Sequence, residues 1–197
     1  MSNLNTYFKS RDIYHFEGYC QEFPEQVRFL KSIVKNDLIQ NVMEIGFNAG
    51  HSAEVFLSAN KDIHLTSFDI GIHDYMILGK AFIDKVFPNR HRLIVGDSLQ
   101  TIPEFYNSQD TLFDLIFIDG GHDYEVAKND LVNCKHLAHE KTIVIFDDTV
   151  NKEEWLKYWN VGPNKAWKEA KSENLIKEMG TLDIGIGKGQ SWGYYVN

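Results

Sequence analysis

The chain has 197 residues, 43% of them hydrophobic, and carries 28 acidic against 20 basic side chains, a formal net charge of −8. This length suits one large hydrophobic core, and the acidic excess disfavours a nucleic-acid partner because its averaged field repels phosphates. Cys20 and Cys134 lack the paired spacing of a zinc site or a disulfide framework. The polar N-terminus and the absence of an apolar run near the roughly 18 residues of a membrane span predict a cytoplasmic protein without membrane contact.

The first predicted elements are a helix and five strands. Residues 24–35 carry Val27, Leu30, Ile33 and Val34 at helical spacing, which predicts a leading helix. Five continuous apolar runs follow, each ending in Gly or Asp, as is typical of parallel strands that helices cover on both faces. The runs are residues 41–46, 64–69, 92–96, 113–119 and 142–147.

The pattern changes towards the end of the chain. Residues 123–139 carry one apolar stripe and predict a helix. A Trp-rich segment, in which we expect Trp167 to pack on the sheet, precedes strands over 182–187 and 190–196. A turn at Gly187, Lys188 and Gly189 would join them as an antiparallel hairpin. The predicted fold is therefore α/β, with a doubly wound, mostly parallel, seven-stranded Rossmann-like sheet that ends in an antiparallel hairpin.

Ligands bind such sheets at the carboxyl ends of the strands, so candidate site residues are sought there. The first strand runs into Glu44-Ile-Gly-Phe-Asn-Ala-Gly-His-Ser52, whose glycines either let a ligand approach the backbone or only form a tight turn. Asp69 follows Glu44 at 25 positions (69 minus 44), near the spacing of an acid that binds ribose hydroxyls, although it could equally cap a helix. Asp97 and Ser98, after the third strand, either face an adenine or cap a helix.

The ordered motifs resemble those of a known family. Glu-x-Gly-x-x-x-Gly, a strand-end acid, Gly-Asp-Ser and Phe-Asp-Leu-Ile-Phe-Ile-Asp-Gly-Gly-His are similar to the class I S-adenosylmethionine-dependent methyltransferases, in particular the catechol O-methyltransferase-like group of small-molecule enzymes. The resemblance covers residues 40–150 and, more loosely, the final hairpin. It implies that residues 44–50 surround the methionine and ribose of the cofactor, that Ser52 holds the carboxylate and that Asp69 binds the ribose. The implied cofactor contacts are Glu44, Gly46, Phe47, Asn48, Gly50, Ser52, Asp69, Asp97, Ser98 and Asp119.

The resemblance also implies a single methyltransferase domain over residues 1–197. Its parts would be an N-terminal cap and leading helix (1–39), a cofactor-binding core (40–150) and a C-terminal helix and hairpin (151–197). We expect residues 1–23 to cap the substrate pocket.

Three carboxylates are predicted to meet at one edge of the sheet. Asp119 ends the fourth strand, and Asp147 and Asp148 end the fifth. Unpaired carboxylates repel one another, and an oxygen-preferring cation such as Mg²⁺ would remove that repulsion. The resembled family holds Mg²⁺ with Asp, Asp and Asn at these strand ends, so Asp148 makes this site more negative. The alternative is that Asp147 and Asp148 only cap the next segment.

His122 stands three residues after Asp119, where the resembled family tends to have a lysine base. An imidazole can take a hydroxyl proton near neutral pH, although His122 could also cap the following helix. The predicted function is metal-assisted O-methylation of a small hydroxylated molecule, with Asp119 and His122 as the catalytic residues.

Two rival functions remain at this point. One is an NAD(P)-dependent oxidoreductase, which the missing Gly-x-Gly-x-x-Gly motif disfavours. The other is a non-catalytic module that binds an adenosyl ligand. The predicted partner is a small molecule with a hydroxyl group, not a nucleic acid, and a homodimer is left open as the assembly.

Overall fold

A computed structural model describes residues 3–185 and 187–196. Helices and strands alternate along most of the chain. The α-helices of these ranges are α1 (Asn3–Lys9), α2 (Pro24–Val34), α3 (His51–Ala59), α4 (Tyr75–Val86), α5 (Ser98–Ser108), α6 (Tyr124–Cys134) and α7 (Val161–Ser172). The strands are β1 (Asn41–Ile45), β2 (His64–Asp69), β3 (His91–Val95), β4 (Phe113–Ile118), β5 (Ala138–Asp147), β6 (Ile176–Gly185) and β7 (Lys188–Tyr195). Short 3₁₀ turns cover Cys20–Glu22, Lys135–Leu137 and Glu153–Trp155.

The strands form one seven-stranded sheet in the order β3-β2-β1-β4-β5-β7-β6. Strands β1 to β5 are parallel, whereas β7 pairs antiparallel with both β5 and β6. This arrangement confirms the predicted doubly wound sheet and its final hairpin. The strand order reverses between β1 and β4, and in such sheets the ligand cleft opens at the carboxyl edge of that point.

Helices cover both faces of the sheet because successive strand residues point in opposite directions. Val42 of β1 packs with α1 to α4, and Met43, the next residue, packs with α5 to α7. In β4, Leu115 packs in the layer of α1 to α4, and Ile116 packs in the layer of α5 to α7. Burial on both sides is the reason why these strands are continuous apolar runs.

Several predicted boundaries were wrong. The apolar stripe of 123–139 is helical only to Cys134, and a 3₁₀ turn then leads into β5, which begins at Ala138 and not at residue 142. Lys188 and Gly189 belong to β7 and not to the turn, because they pair with β6 across the hairpin. The predicted strand 182–187 includes Ile186, which lies outside the described residues.

The Trp-rich segment supplies packing, as expected for Trp167. Its ring is buried on α7 and stacks on Phe146 at 5.7 Å between centroids. Within the described ranges, no helix is both long and apolar enough to cross a membrane.

Candidate functional site

The turn after β1 brings the loops of β1 and β4 into direct contact. Gly46 has φ +93°, and a Cβ atom there would lie 1.9 Å from the backbone oxygen of Asp119. Gly50, with φ +90°, ends the turn and starts α3. Only glycine fits the approach at position 46, so Gly46 brings the backbone of Asp119 against the first turn.

Glu44 lies fully buried beneath this turn. Its carboxylate accepts hydrogen bonds from the hydroxyls of Ser52 and Ser67, and burial raises its pKa to about 7. Ser52, in the first turn of α3, is thereby tied to β1 and not free to turn outward. Glu44 therefore lies beneath the turn of residues 46–50 and holds Ser52 in place. The groups suited to bind an anion are the backbone N–H groups in the first turn of α3.

Asp69 lies at the carboxyl end of β2, beside the first turn. Its carboxylate oxygens accept backbone N–H bonds from Asn48 and Gly71, both at 2.7 Å. It does not cap a helix, because α4 begins only at Tyr75. Each carboxylate oxygen has a second lone pair, so Asp69 retains the capacity to accept two ribose hydroxyls.

The remaining predicted cofactor contacts differ in what they can offer. Asp97 caps α5 by accepting from Leu99 N at 2.9 Å, so the capping alternative holds for this residue. The Phe47 ring is buried and stacks on His91 at 5.0 Å, which leaves its backbone for a ligand. Ser98 is the first residue of α5 and is half-buried.

The N-terminal segment covers the turn after β1. Asn48 donates to the backbone oxygens of Glu17 and Gly18, and the Tyr19 ring stacks on His51 at 4.4 Å. A small cavity lies beneath this segment, between Gly18, Tyr19 and Cys20 on one side and the turn after β1 on the other. The segment predicted to cap the substrate pocket, residues 1–23, therefore meets the turn after β1, although Met1 and Ser2 lie outside the described residues.

The three predicted metal ligands do converge. One carboxylate oxygen from each of Asp119, Asp147 and Asp148 lies within 4.8 Å of the others. Burial, followed by the charge of Asp147, raises the pKa of Asp119 well above its usual range. Asp119 also lines both cavities at this edge: the one under the N-terminal segment and a second one bounded by His122, Asp148 and Pro163.

Lys188 enters the carboxylate cluster from β7. Its Nζ donates to Asp147 Oδ2 at 2.5 Å and to Asp148 Oδ1 at 2.9 Å. Although burial lowers it, the charges of Asp147, Asp119 and Asp148 hold the pKa of Lys188 well above its ordinary value. A cation for the Asp147–Asp148 pair is therefore supplied by the chain itself.

His122 is paired with the same cluster. Its Nε2 lies 2.8 Å from Asp148 Oδ2, and this hydrogen bond raises the pKa of His122 above its ordinary value. If Nε2 carries the proton that Asp148 accepts, Nδ1 has the free lone pair. His122 does not cap α6, whose N-cap residue is Asp123.

The donor set matches the oxygen preference of Mg²⁺, but the carboxylate oxygens of Asp147 and Asp148 already have donors. Gln26 Nε2 donates to Asp147 Oδ1 at 3.0 Å, and Lys188 and His122 cover the other oxygens of Asp147 and Asp148. Mg²⁺ needs oxygens at about 2.0–2.1 Å in an octahedron, and it would repel an ammonium bound to the same two carboxylates. This arrangement does not fit a divalent cation while Lys188 is in place.

Sequence reasoning missed Lys188 and the N-terminal residues at the cleft. The position of Lys188 follows from the pairing of β7 with β5, in which Asp147 is opposite Gln190. Because β7 is antiparallel, it starts at the edge where β5 ends, and its first residue lies beside Asp148. One sequence signal could have indicated this position of Lys188. A lysine begins a strand of the predicted hairpin, and that hairpin comes after a strand that ends in two Asp residues.

The chain was compared with known proteins. A family model described as a methyltransferase domain matches residues 43–149. No curated protein sequence matches the chain.

Solved structures of similar fold come from several organisms. An O-methyltransferase from Bacillus cereus in complex with SAH superposes with a TM-score of 0.78 at 17% identity, covering 98% of this chain and 91% of that one. TomG, an O-methyltransferase from Streptomyces achromogenes in complex with SAM, gives 0.73 at 13% identity, covering 100% and 89%. The SAH-bound Podospora anserina methyltransferase PaMTH1 gives 0.66 at 17% identity, covering 98% and 88%.

These structural likenesses show the fold, and the family model adds the sequence match across β1 to β5. The matched region contains the glycine turn, Asp69 and the strand ends that carry Asp119 and Asp147. The chain belongs to the methyltransferase domain family.

Proposed function

We propose that this enzyme transfers the methyl group of S-adenosylmethionine to a hydroxyl group of a small molecule. The observation that carries the proposal is the His122–Asp148 pair beside Asp119, which lies between the cofactor cavity and the second cavity. The pair places a base next to the point where the methyl group would arrive. The O-methyltransferase and cofactor descriptions of the structural neighbours support this reading.

The proposed step is an in-line displacement at the methyl carbon. The acceptor oxygen forms the new O–CH₃ bond, the S–CH₃ bond breaks, and its electron pair stays on sulfur to give S-adenosylhomocysteine. The acceptor proton moves to Nδ1 of His122. Asp148 orients the imidazole through Nε2 and stabilises the imidazolium that forms, as a carboxylate does beside a catalytic histidine.

The proposed cofactor contacts are the strand-end groups of β1 and β2. The backbone of residues 46–50 and the opening N–H groups of α3 would hold the methionine part, with Ser52 and Glu44 beneath. Asp69 would accept the ribose hydroxyls, and Ser98 would lie near the adenine. Asp97 caps α5 and would contribute through the position of that helix.

The predicted magnesium ion has no step in this proposal. A divalent cation would use the carboxylate oxygens that Lys188 and His122 already occupy. If bound, it would polarise the acceptor hydroxyl and lower its pKa. The magnesium prediction and the Lys188 arrangement exclude each other, and the Lys188 experiment below decides between them.

The proposed acceptor is small because the cavity beside His122 is confined between the loop after β4, the end of β5 and the start of α7. The formal charge of −8 also opposes a nucleic-acid substrate.

The test is methyl transfer from S-adenosylmethionine labelled in its methyl group. The purified protein is incubated with phenols, sugars, aliphatic alcohols, amines and RNA, and products are identified by mass spectrometry. We expect label on the hydroxyl oxygen of at least one small molecule and none on RNA. Transfer only to amines or RNA would contradict the proposal. Binding of S-adenosylhomocysteine without transfer to any acceptor would favour the non-catalytic module, and binding of NAD(P) alone would favour the oxidoreductase.

A further inference from the structure

The carboxylate cluster at the end of β5 contains its own cation. The Nζ atom of Lys188 contacts one oxygen of Asp147 and one of Asp148, at 2.5 and 2.9 Å. The side chains of Asp147 and Asp148 are only 1% and 7% exposed, and that of Lys188 is 20% exposed. Two carboxylates this deeply buried need a positive partner, and Lys188 is the residue placed to provide it.

The remaining oxygens of the pair are occupied as well. Gln26 donates to the second oxygen of Asp147, and His122 bonds the second oxygen of Asp148. All four oxygens thus have a protein partner, and no external ion is required to balance them. Lys188, Gln26 and His122 together complete the hydrogen bonds of the Asp147–Asp148 pair.

An ammonium group carries three protons and no acceptor. Two of the Lys188 protons point to Asp147 and Asp148, which leaves one donor that no bond to a described residue engages. Lys188 and His122 bond different oxygens of Asp148, so the ammonium and the imidazole are linked through one carboxylate.

We propose that Lys188 takes the place of a divalent metal in this methyltransferase: its ammonium neutralises the Asp147–Asp148 pair, and Asp148 orients His122 as the base. This inference rests on the proposed O-methyl transfer. The acceptor oxygen gains the methyl carbon, its proton moves to Nδ1 of His122, and the S–CH₃ electron pair stays on sulfur. Lys188 keeps its three protons throughout as the positive charge of the cluster, so the reaction proceeds without a divalent cation.

The test measures Mn²⁺ binding by electron paramagnetic resonance, with no cofactor or acceptor present. It compares wild type with Lys188→Met, which keeps the length of the side chain and removes its charge, and with Lys188→Arg, which keeps a cation. We expect no specific Mn²⁺ binding by wild type or Lys188→Arg. Lys188→Met should bind Mn²⁺ at least about tenfold more tightly, because the buried carboxylate pair then lacks its cation and recruits another. Lys177→Met, on exposed surface of β6 in the same hairpin, is the matched control and should behave as wild type.

Activity supplies the second readout. Wild-type turnover should be unchanged by EDTA, and Lys188→Met should lose turnover by about 10²-fold, the scale for misplacement of a catalytic group, because Asp148 then no longer holds His122 in place. Its affinity for S-adenosylhomocysteine should stay within about tenfold of wild type, since Lys188 bonds Asp147 and Asp148 and not the groups proposed to hold the cofactor.

Specific Mn²⁺ binding by wild type, or inhibition by EDTA that Mg²⁺ reverses, would overturn the proposal in favour of a metal centre. A Lys188→Met variant with lower thermal stability, full turnover and no Mn²⁺ binding would assign Lys188 a purely structural role. If Lys188→Met does not fold, the wild-type Mn²⁺ and EDTA results still decide. Failure of the proposed function gives a different result. In that case wild type transfers no methyl group to any acceptor, whereas the Mn²⁺ measurement, which needs no acceptor, still shows whether the cluster binds a metal.

Discussion

Replacement of His122 by alanine should lower kcat by about 10²- to 10⁴-fold, the usual contribution of a general base. The side chain is held by Asp148 at 2.8 Å and reaches the cavity beside Asp119, so its loss removes the acceptor of the hydroxyl proton. Steady-state kinetics on the acceptor found in the labelling experiment would measure the change.

The pH profile gives a second measure of the same residue. His122 must be neutral to accept a proton, and its hydrogen bond to Asp148 raises its pKa. Wild-type kcat should therefore rise with pH as the imidazolium loses its proton, at a pH above the ordinary value for histidine. His122→Ala should lose this acidic limb.

His139 provides the matched control. It forms the same kind of pair with Asp114 at 3.0 Å, but at the starts of β5 and β4, on the opposite edge of the sheet. His139→Ala should leave kcat unchanged. Equal losses in the two variants would show that the His122 effect is one of stability, and an unchanged kcat in His122→Ala would remove His122 from the mechanism.

The second large effect is expected on cofactor affinity. Asp69→Ala should weaken the binding of S-adenosylhomocysteine by about 100-fold, because two hydrogen bonds to a charged acceptor are lost, each worth about 1.5 kcal/mol or more. Asp69 also holds the backbone of Asn48 and Gly71, so part of the loss would come from a less ordered turn. Isothermal titration calorimetry gives the affinity directly.

Asp62 is the control for this measurement. It is an exposed carboxylate just before the first residue of β2, whereas Asp69 is the last residue of that strand. Asp62→Ala should bind S-adenosylhomocysteine as wild type does. Thermal unfolding without ligand identifies any general loss of stability in Asp69→Ala. Wild-type affinity in a folded Asp69→Ala protein would remove Asp69 from the cofactor site.

The sequence predicted those parts of the fold and site that depend on local pattern. Strands buried on both faces are continuous apolar runs, and the residues that end them must lie at one edge of a parallel sheet. For this reason the meeting of Asp119, Asp147 and Asp148 could be expected from the sequence. The first turn was also predictable, because Gly46 and Gly50 directly follow the strand.

The presence of Lys188 in the carboxylate cluster was not predictable in the same way. Lys188 reaches it only because β7 is antiparallel to β5 and pairs in the register that places Asp147 opposite Gln190. That register depends on packing across the whole sheet and not on any residue near Lys188. Repulsion among three carboxylates led to the prediction of Mg²⁺, and the sequence could not show that a side chain, Lys188, lies against two of them.

The contacts through which the N-terminal segment covers the turn after β1 were likewise beyond local pattern. They join distant residues, such as Tyr19 stacked on His51 and Asn48 bonded to the backbone of Glu17 and Gly18. Glu17, Gly18 and Tyr19 belong to no motif. Their roles follow from the position of α1 against α4 and of the 3₁₀ turn at Cys20–Glu22 against α3.

Calorimetric titration of the wild-type protein with S-adenosylhomocysteine, in the presence of EDTA, tests the central claim most directly. The strand-end site of β1 and β2 predicts saturable binding of one ligand per chain, and NAD⁺ titrated in the same buffer should give no heat of binding. Absence of S-adenosylhomocysteine binding by folded protein, or binding of NAD⁺ in its place, would contradict the assignment of this cleft to the methyl donor.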